Sequence, residues 1–94
     1  MLVRIEIDGH AGRHGYSVTH EAEELYGDAG LESVLDCLVA AVEGLPPAVL
    51  VAEVWYRGIV SGTYPLQVVG MNAGQIAEHA MHTTAAVEEA LGLA

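Results

Sequence analysis

The sequence predicts an α+β fold, a two-layer sandwich in which a four-stranded, mainly antiparallel sheet carries two helices on one face. Two hairpin-like pairs of alternating segments and two segments with helical spacing lead to this prediction. The predicted order is strand, strand, helix, strand, strand, helix. A length of 94 residues without a long Pro, Gly or Ser linker indicates a single domain over residues 1–94.

The first hairpin is predicted from alternation. Residues 2–8 place Val3, Ile5 and Ile7 on one face of a strand, with polar side chains between them. Residues 9–15 contain a glycine at every third position and predict a loop, and residues 16–22 alternate again. Residues 19–26 are also compatible with a helix capped by Thr19, so this boundary stays open.

Residues 28–43 have the clearest helical pattern, which ends at Gly44 before two prolines. Their apolar stripe is formed by Leu31, Val34, Leu35, Leu38, Val39 and Val42. Residues 48–60 are rich in β-branched and aromatic side chains and predict a long strand. Residues 61–62 then predict a turn, and residues 64–69 a returning strand.

The last helix is predicted over residues 72–91. Asn72 and Gln75 have the spacing of a capping box, in which the two side chains cap the first turn. The predicted inward stripe is Ile76, Ala80, Thr83, Val87 and Leu91. Helices that follow hairpins cover one sheet face, so the opposite face is expected to be open and to carry Arg4, Glu6, Thr19 and Glu21.

Composition and charge exclude several functions. Thirteen acidic residues face three Arg and no Lys, giving a formal charge of -10. Too few cations are present to neutralise a nucleic-acid backbone or to bind an anionic membrane, so neither partner is expected.

The longest apolar run, residues 45–52, is too short for a membrane span, and the amino terminus alternates unlike a secretory signal. With one cysteine, a reducing cytoplasmic location is expected, and the Ala-rich, Lys-free composition is typical of a high-GC genome.

The apolar content is high for so small a chain. Hydrophobic residues make up 52% of it, and the mean hydropathy is +0.36. A domain of this size has too little interior to hide that much apolar surface. We therefore expect a second copy or another protein to cover part of it.

The segment around Trp55 is the strongest candidate for such a contact. Trp, Tyr and Arg are enriched among interface hot spots because they bury a large area and keep a polar group. Glu53, Trp55 and Arg57 are expected to face outward on the open sheet face, with Tyr56 as a further partner-binding candidate. Because neighbours in a strand point to opposite faces, either Trp55 or Tyr56 must point inward.

Acidic residues are concentrated in the first half of the chain. An acidic patch attracts basic partners, so an alternative function is an inhibitor that mimics the charge of nucleic acid and occupies a basic site on a nucleic-acid-handling or defence protein. The expected residues of this patch are Glu21, Glu23, Glu24, Asp28, Glu32 and Asp36.

Histidines supply a second alternative, a small metal-binding protein or enzyme. His79 and His82 are three residues apart on the last predicted helix, where both rings can reach one divalent metal, with Glu78 as a third ligand. His10, His14 and His20, in or near the glycine-rich loop, form a further candidate, for a mobile divalent-metal or proton-sensing site.

Nothing in the sequence indicates a catalytic nucleophile. Cys37 has an acidic neighbour that disfavours the thiolate, and Ser61 is not at a strand-to-helix elbow. The glycine spacing at residues 9–15 also differs from that of a dinucleotide-binding loop. The first hypothesis is therefore a non-enzymatic interaction module without a cofactor, a homo-oligomer or a small adaptor subunit.

Overall fold

The computed structural model describes residues 1–10 and 12–92. Within these residues the chain has an α+β fold, in which five strands form one mixed sheet and three helices accompany it. The elements are β1 (Leu2–His10), β2 (Arg13–His20), β3 (Glu23–Leu31), α1 (Val34–Glu43), β4 (Val51–Tyr56), β5 (Ile59–Pro65), α2 (Leu66–Met71) and α3 (Ala73–Ala90). The strand order across the sheet is β3-β2-β1-β4-β5.

The prediction of a four-stranded, mainly antiparallel sheet with two helices in ββαββα order is wrong. The first unit contains three strands instead of two, and the central pair, β1 and β4, is parallel. The other neighbouring pairs are antiparallel. A third strand before α1 reverses the direction in which the chain re-enters the sheet, and this produces the parallel pair.

The additional strand is β3, which was predicted partly as the start of a helix. A tight turn at Glu21 and Ala22 connects it to β2, and both residues have positive φ angles, 51° and 70°. Glycine and asparagine usually occupy such positions, so the sequence carries no turn signal here. The helical alternative for residues 19–26 is also wrong.

Helix α1 begins at Val34 rather than at residue 28. Ser33 caps it, because its hydroxyl accepts a hydrogen bond from the Asp36 amide at 3.0 Å. The buried face of α1 consists of Val34, Cys37, Leu38 and Ala41. The predicted stripe is therefore rotated, and Leu35 and Val39 lie on the exposed side.

The second half of the chain turns earlier than predicted. Arg57 and Gly58, with φ angles of 53° and 80°, form the turn between β4 and β5. The predicted turn at residues 61–62 lies inside β5, and the predicted strand over residues 64–69 ends at Pro65 and continues as α2. Pro65 lies at the end of an edge strand, where its missing N–H is tolerated.

Helix α3 matches its predicted range, but its predicted capping box is absent. Asn72 precedes the helix without capping it through its side chain, and its Nδ2 donates to the Val68 carbonyl at 3.3 Å. The buried residues of α3 are Ile76, Ala77, Ala80 and Thr84. None of the helices in residues 1–10 and 12–92 is both long and apolar enough to cross a membrane.

The core lies between the helices and one face of the sheet. Val3, Ile5 and Ile7 of β1 are buried there, as the alternation predicts. Val18 of β2 and Ala52, Val54 and Tyr56 of β4 join them under α1 and α3. The opposite surface of the sheet, called the open face below, carries no helix from the described ranges.

Candidate protein-binding surface

Side chains that alternate with the core residues form the open face. The cross-strand pairing fixes its composition, because directly paired residues share a face. The pairs run from Glu24 through Thr19 and Arg4 to Glu53 and Thr63, and from Gly27 through Ser17 and Glu6 to Trp55 and Val60. Leu2 and Val51 are paired at one end of the same face.

Arg4, Glu53 and Trp55 form a connected group at the centre of this face. The Arg4 guanidinium carbon lies 4.4 Å from the centroid of the Trp55 ring system, a cation–π distance. Glu53 Oε1 accepts hydrogen bonds from Arg4 Nε at 3.2 Å and from Trp55 Nε1 at 2.5 Å. The indole is thus held in place, with its only donor satisfied.

The structure confirms that alternation places Glu53 and Trp55 outward, but the part played by Arg4 was missed. The sequence placed Arg4 on the open face without indicating which strand lies beside it. Arg4 meets Trp55 only because β1 and β4 are neighbours, with Arg4 paired to Glu53. The parallel pairing of these strands depends on β3, which the sequence pattern did not reveal.

The open face changes in character from one edge to the other. Toward β4 and β5 it carries apolar side chains beside Glu53: Trp55 lies next to Val60, which is 45% exposed, and Val51 next to Leu2, which is 49% exposed. Toward β2 and β3 the paired residues are Ser17, Thr19, Glu24 and Gly27. Apolar burial is therefore available on one half of the face only.

A shallow depression lies at the start of β1 and the end of β2. The acidic residues Glu6, Glu21 and Glu53 line it together with Arg4 and His20. His20 Nδ1 lies 2.8 Å from the Leu2 carbonyl oxygen, which ties the end of β2 to the start of β1. This end of the open face is acidic.

Tyr56 and Arg57 do not join this surface. Tyr56 points to the helix side and is 8% exposed, and its carbonyl accepts a hydrogen bond from the Thr84 hydroxyl at 2.9 Å. Arg57 lies beyond the end of β4, and its Nη2 is 3.5 Å from Glu88 of α3. The expectation that Arg57 shares an outward strand face with Trp55 is wrong because β4 ends at Tyr56.

The acidic residues predicted to form a patch are all exposed, and several border β3. Glu23, Glu24 and Asp28 lie on that strand, Glu21 is in the turn before it, and Glu32 follows it. Asp36 is in the first turn of α1. The patch therefore follows the β3 edge of the sheet and reaches the first turn of α1.

The histidines are dispersed. His79 and His82 are exposed on α3, and His79 Nε2 lies 3.4 Å from the Thr83 hydroxyl. His14 is buried near the Tyr56 ring, and its Nδ1 has no hydrogen-bond partner among the described residues. In residues 1–10 and 12–92, no three His, Cys, Asp or Glu side chains are grouped closely enough to hold a metal ion.

The predicted loop over residues 9–15 is mostly strand, since β1 continues to His10 and β2 begins at Arg13. Ala11, within that prediction, lies outside the described residues. The glycines line a depression with Asp8 and Arg13. The single Arg13 guanidinium shares the depression with the Asp8 carboxylate, whose charge offsets it.

Cys37 lies inside the core, away from solvent. Burial, with smaller contributions from the Asp36 and Asp28 charges, raises the pKa of its thiol to about 11. Such a thiol is protonated at neutral pH and is a poor nucleophile.

Comparisons of the chain with protein-family models, with curated proteins and with solved structures found no match.

Proposed function

We propose that this protein is a non-enzymatic interaction module that self-associates through the β1, β4 and β5 half of its open face. The observation that carries this proposal is the connected group of Arg4, Glu53 and Trp55 on an uncovered sheet. Trp and Arg are two of the residue types that are enriched at interface hot spots.

Pre-organisation supports this role for Trp55. The indole N–H already donates to Glu53, and Arg4 stacks on the ring. Docking therefore leaves no indole donor unpaired and orders few additional side chains. Unpaired polar groups and newly ordered side chains are two of the main costs of association, so both costs are small for Trp55.

The distribution of charge favours the same half of the face. A dimer centred on Trp55 and Val60 buries the apolar side chains of two copies against each other. The acidic β3 strands then lie at the outer margins, which limits repulsion between two chains of formal charge -10. Such a dimer also covers part of the apolar surface that a chain of this size cannot bury in its own core.

Solution mass measured by size exclusion with light scattering tests the proposal. We expect twice the 9.9 kDa chain mass, and Trp55→Ala is expected to weaken dimerisation by at least about thirtyfold, as loss of a hot-spot residue does. Met71→Ala is the matched control, because Met71 is 84% exposed on α2, away from the open face. A monomer at all concentrations, at low and at high salt, would refute self-association.

A further inference from the structure

The outer edge of β3 is a second surface, independent of the open face. Within the described residues, β3 pairs with β2 on one side and with no strand on the other. In an antiparallel pair, alternate residues direct their N–H and C=O groups away from the partner. An edge of this kind is a template on which a further strand can form.

The length and exposure of β3 fit this role. The strand has nine residues, and every one except Tyr26 and Leu31 is exposed. Tyr26 anchors the strand to the helix layer, because its hydroxyl donates to the Ala41 carbonyl and its ring packs against Gly44. The edge is thus held in place while its outer side stays open.

The acidic side chains identify the chemistry of a partner strand. Asp28 pairs with the inward-facing Tyr16, so it lies on the helix side of the sheet, and Glu23 pairs with His20 on that same side. Asp36 lies in the first turn of α1, the helix that packs against β2 and β3, and adds a third carboxylate to this side of the sheet. The helix side of the edge is therefore lined with negative charge.

The same charges disfavour a second copy at this edge. Two β3 strands paired together would bring like charges opposite one another, which destabilises a sheet. The chain contains no Lys and three Arg, two of which already contact carboxylates. A strand that pairs here must come from a different, basic protein segment.

We propose that the β3 edge binds an extended segment of a partner protein by strand addition, with Lys or Arg at alternate positions of that segment opposite Glu23 and Asp28. The register of β3 against β2 shifts between Val18 and Thr19, so Glu23 and Asp28, five residues apart on β3, lie opposite positions that are four residues apart on β2. A partner strand that follows the same bulge therefore meets both carboxylates with side chains on one face.

The test uses an acetylated and amidated eight-residue peptide of alternating lysine and threonine, titrated into the isotope-labelled protein. We expect the amide resonances of β3 to shift. A peptide of the same composition, with its lysines in one block, is expected to bind at least about tenfold more weakly. An alternating peptide N-methylated on every amide should lose binding to a similar extent, because neither of its edges can donate to the hydrogen-bond ladder.

Variants of the protein test the role of charge. Glu23→Gln combined with Asp28→Asn is expected to weaken binding about fivefold. Glu78→Gln combined with Glu89→Gln removes the same charge from exposed positions of α3 and is expected to change binding less than twofold. Trp55→Ala should leave binding unchanged, which separates this proposal from self-association.

Three results would overturn strand addition. Equal binding of the block or N-methylated peptide would mean that only the negative charge attracts it, as in a charge mimic. Shifts confined to the open face or to α1 would place the peptide elsewhere. The absence of binding at millimolar peptide would show that the edge takes no basic strand.

Discussion

Cys37 couples the stability of the fold to alkaline pH. Its thiol lies on the buried face of α1, and burial raises its pKa from the ordinary value of 9.0 to about 11. Burial also raises the pKa values of Tyr16 and Tyr26 above 10.0. In each case the unfolded chain loses its proton first, so the stabilisation is complete below the ordinary pKa and is lost as pH rises through the higher, folded value.

We therefore expect the free energy of unfolding to fall from pH 9 upward, and more steeply above pH 10. In Cys37→Ala the fall between pH 9 and 10 should be shallower by up to about 1.4 kcal/mol per pH unit, the limit for one proton. Urea denaturation at successive pH values measures this slope. The substitution also leaves a cavity that lowers stability at every pH, so the test compares the slopes of unfolding free energy against pH and not the absolute stabilities. Identical slopes in the parent protein and in Cys37→Ala would contradict the raised pKa of Cys37.

At the level of residues, the sequence predicted orientation better than contacts. Strict alternation in β1 and β4 identified Val3, Ile5 and Ile7 as core and placed Trp55 opposite to Tyr56. Alternation reports which face a side chain occupies, but it contains no information about neighbouring strands. For that reason the stacking of Arg4 on Trp55, the centre of the candidate surface, could not be predicted.

At the level of elements, two glycines are predicted to respond oppositely to alanine. A Cβ at Gly27 of β3 would lie 2.5 Å from the Tyr16 carbonyl oxygen, a backbone atom with little freedom to move. Gly27→Ala is expected to destabilise the fold by about 2 kcal/mol, as overpacking does. A Cβ at Gly74 in α3 meets nothing within 4 Å, so Gly74→Ala should stabilise by about 0.5–1 kcal/mol through helix propensity.

Urea denaturation of both variants at neutral pH gives the two differences. The circular dichroism spectrum serves as the control that each variant retains the fold. A neutral or stabilising Gly27→Ala would contradict the close approach of β2 and β3. A destabilising Gly74→Ala would contradict an exposed helical position.

The missing β3 in the sequence prediction has a physical cause. An edge strand exposed on most of its surface needs no apolar alternation, and residues 23–31 have none. Its turn uses Glu21 and Ala22 in conformations that glycine usually supplies. Helix α1 was recognised because its buried face is apolar, but Leu31 of β3 fits the same helical spacing, which moved the predicted start upstream.

For the whole molecule, this one strand determines the topology. After two strands the chain would enter α1 at the end where β1 begins, and the strand after α1 would run antiparallel to β1. After three strands it enters α1 at the other end, and the helix returns it so that β4 runs parallel to β1. The neighbours at the centre of the sheet, and with them the Arg4–Trp55 contact, follow from this reversal.

The charge of the whole molecule predicts that added salt stabilises it. Thirteen acidic groups and three Arg share a body of 40 × 26 × 24 Å. The Debye length is about 30 Å at 0.01 M salt, so repulsion acts across the entire protein. Attractive pairs such as Arg4–Glu53 and Arg57–Glu88 are partly exposed and contribute little. Repulsion therefore outweighs attraction, and screening should favour both the folded chain and its dimer.

We expect the melting temperature to rise by about 5 °C between 0.01 and 0.5 M NaCl at fixed protein concentration, corresponding to roughly 1 kcal/mol for a domain of this size. Glu23→Gln combined with Asp28→Asn should melt higher than the parent protein at 0.01 M and gain less from salt. The amide oxygen of the substituted side chain can still accept the hydrogen bond that Asp28 accepts from the Ala29 amide, so the comparison isolates charge. A melting temperature that falls with salt would mean that the Arg–carboxylate pairs, rather than the acidic surplus, dominate the electrostatics of the fold.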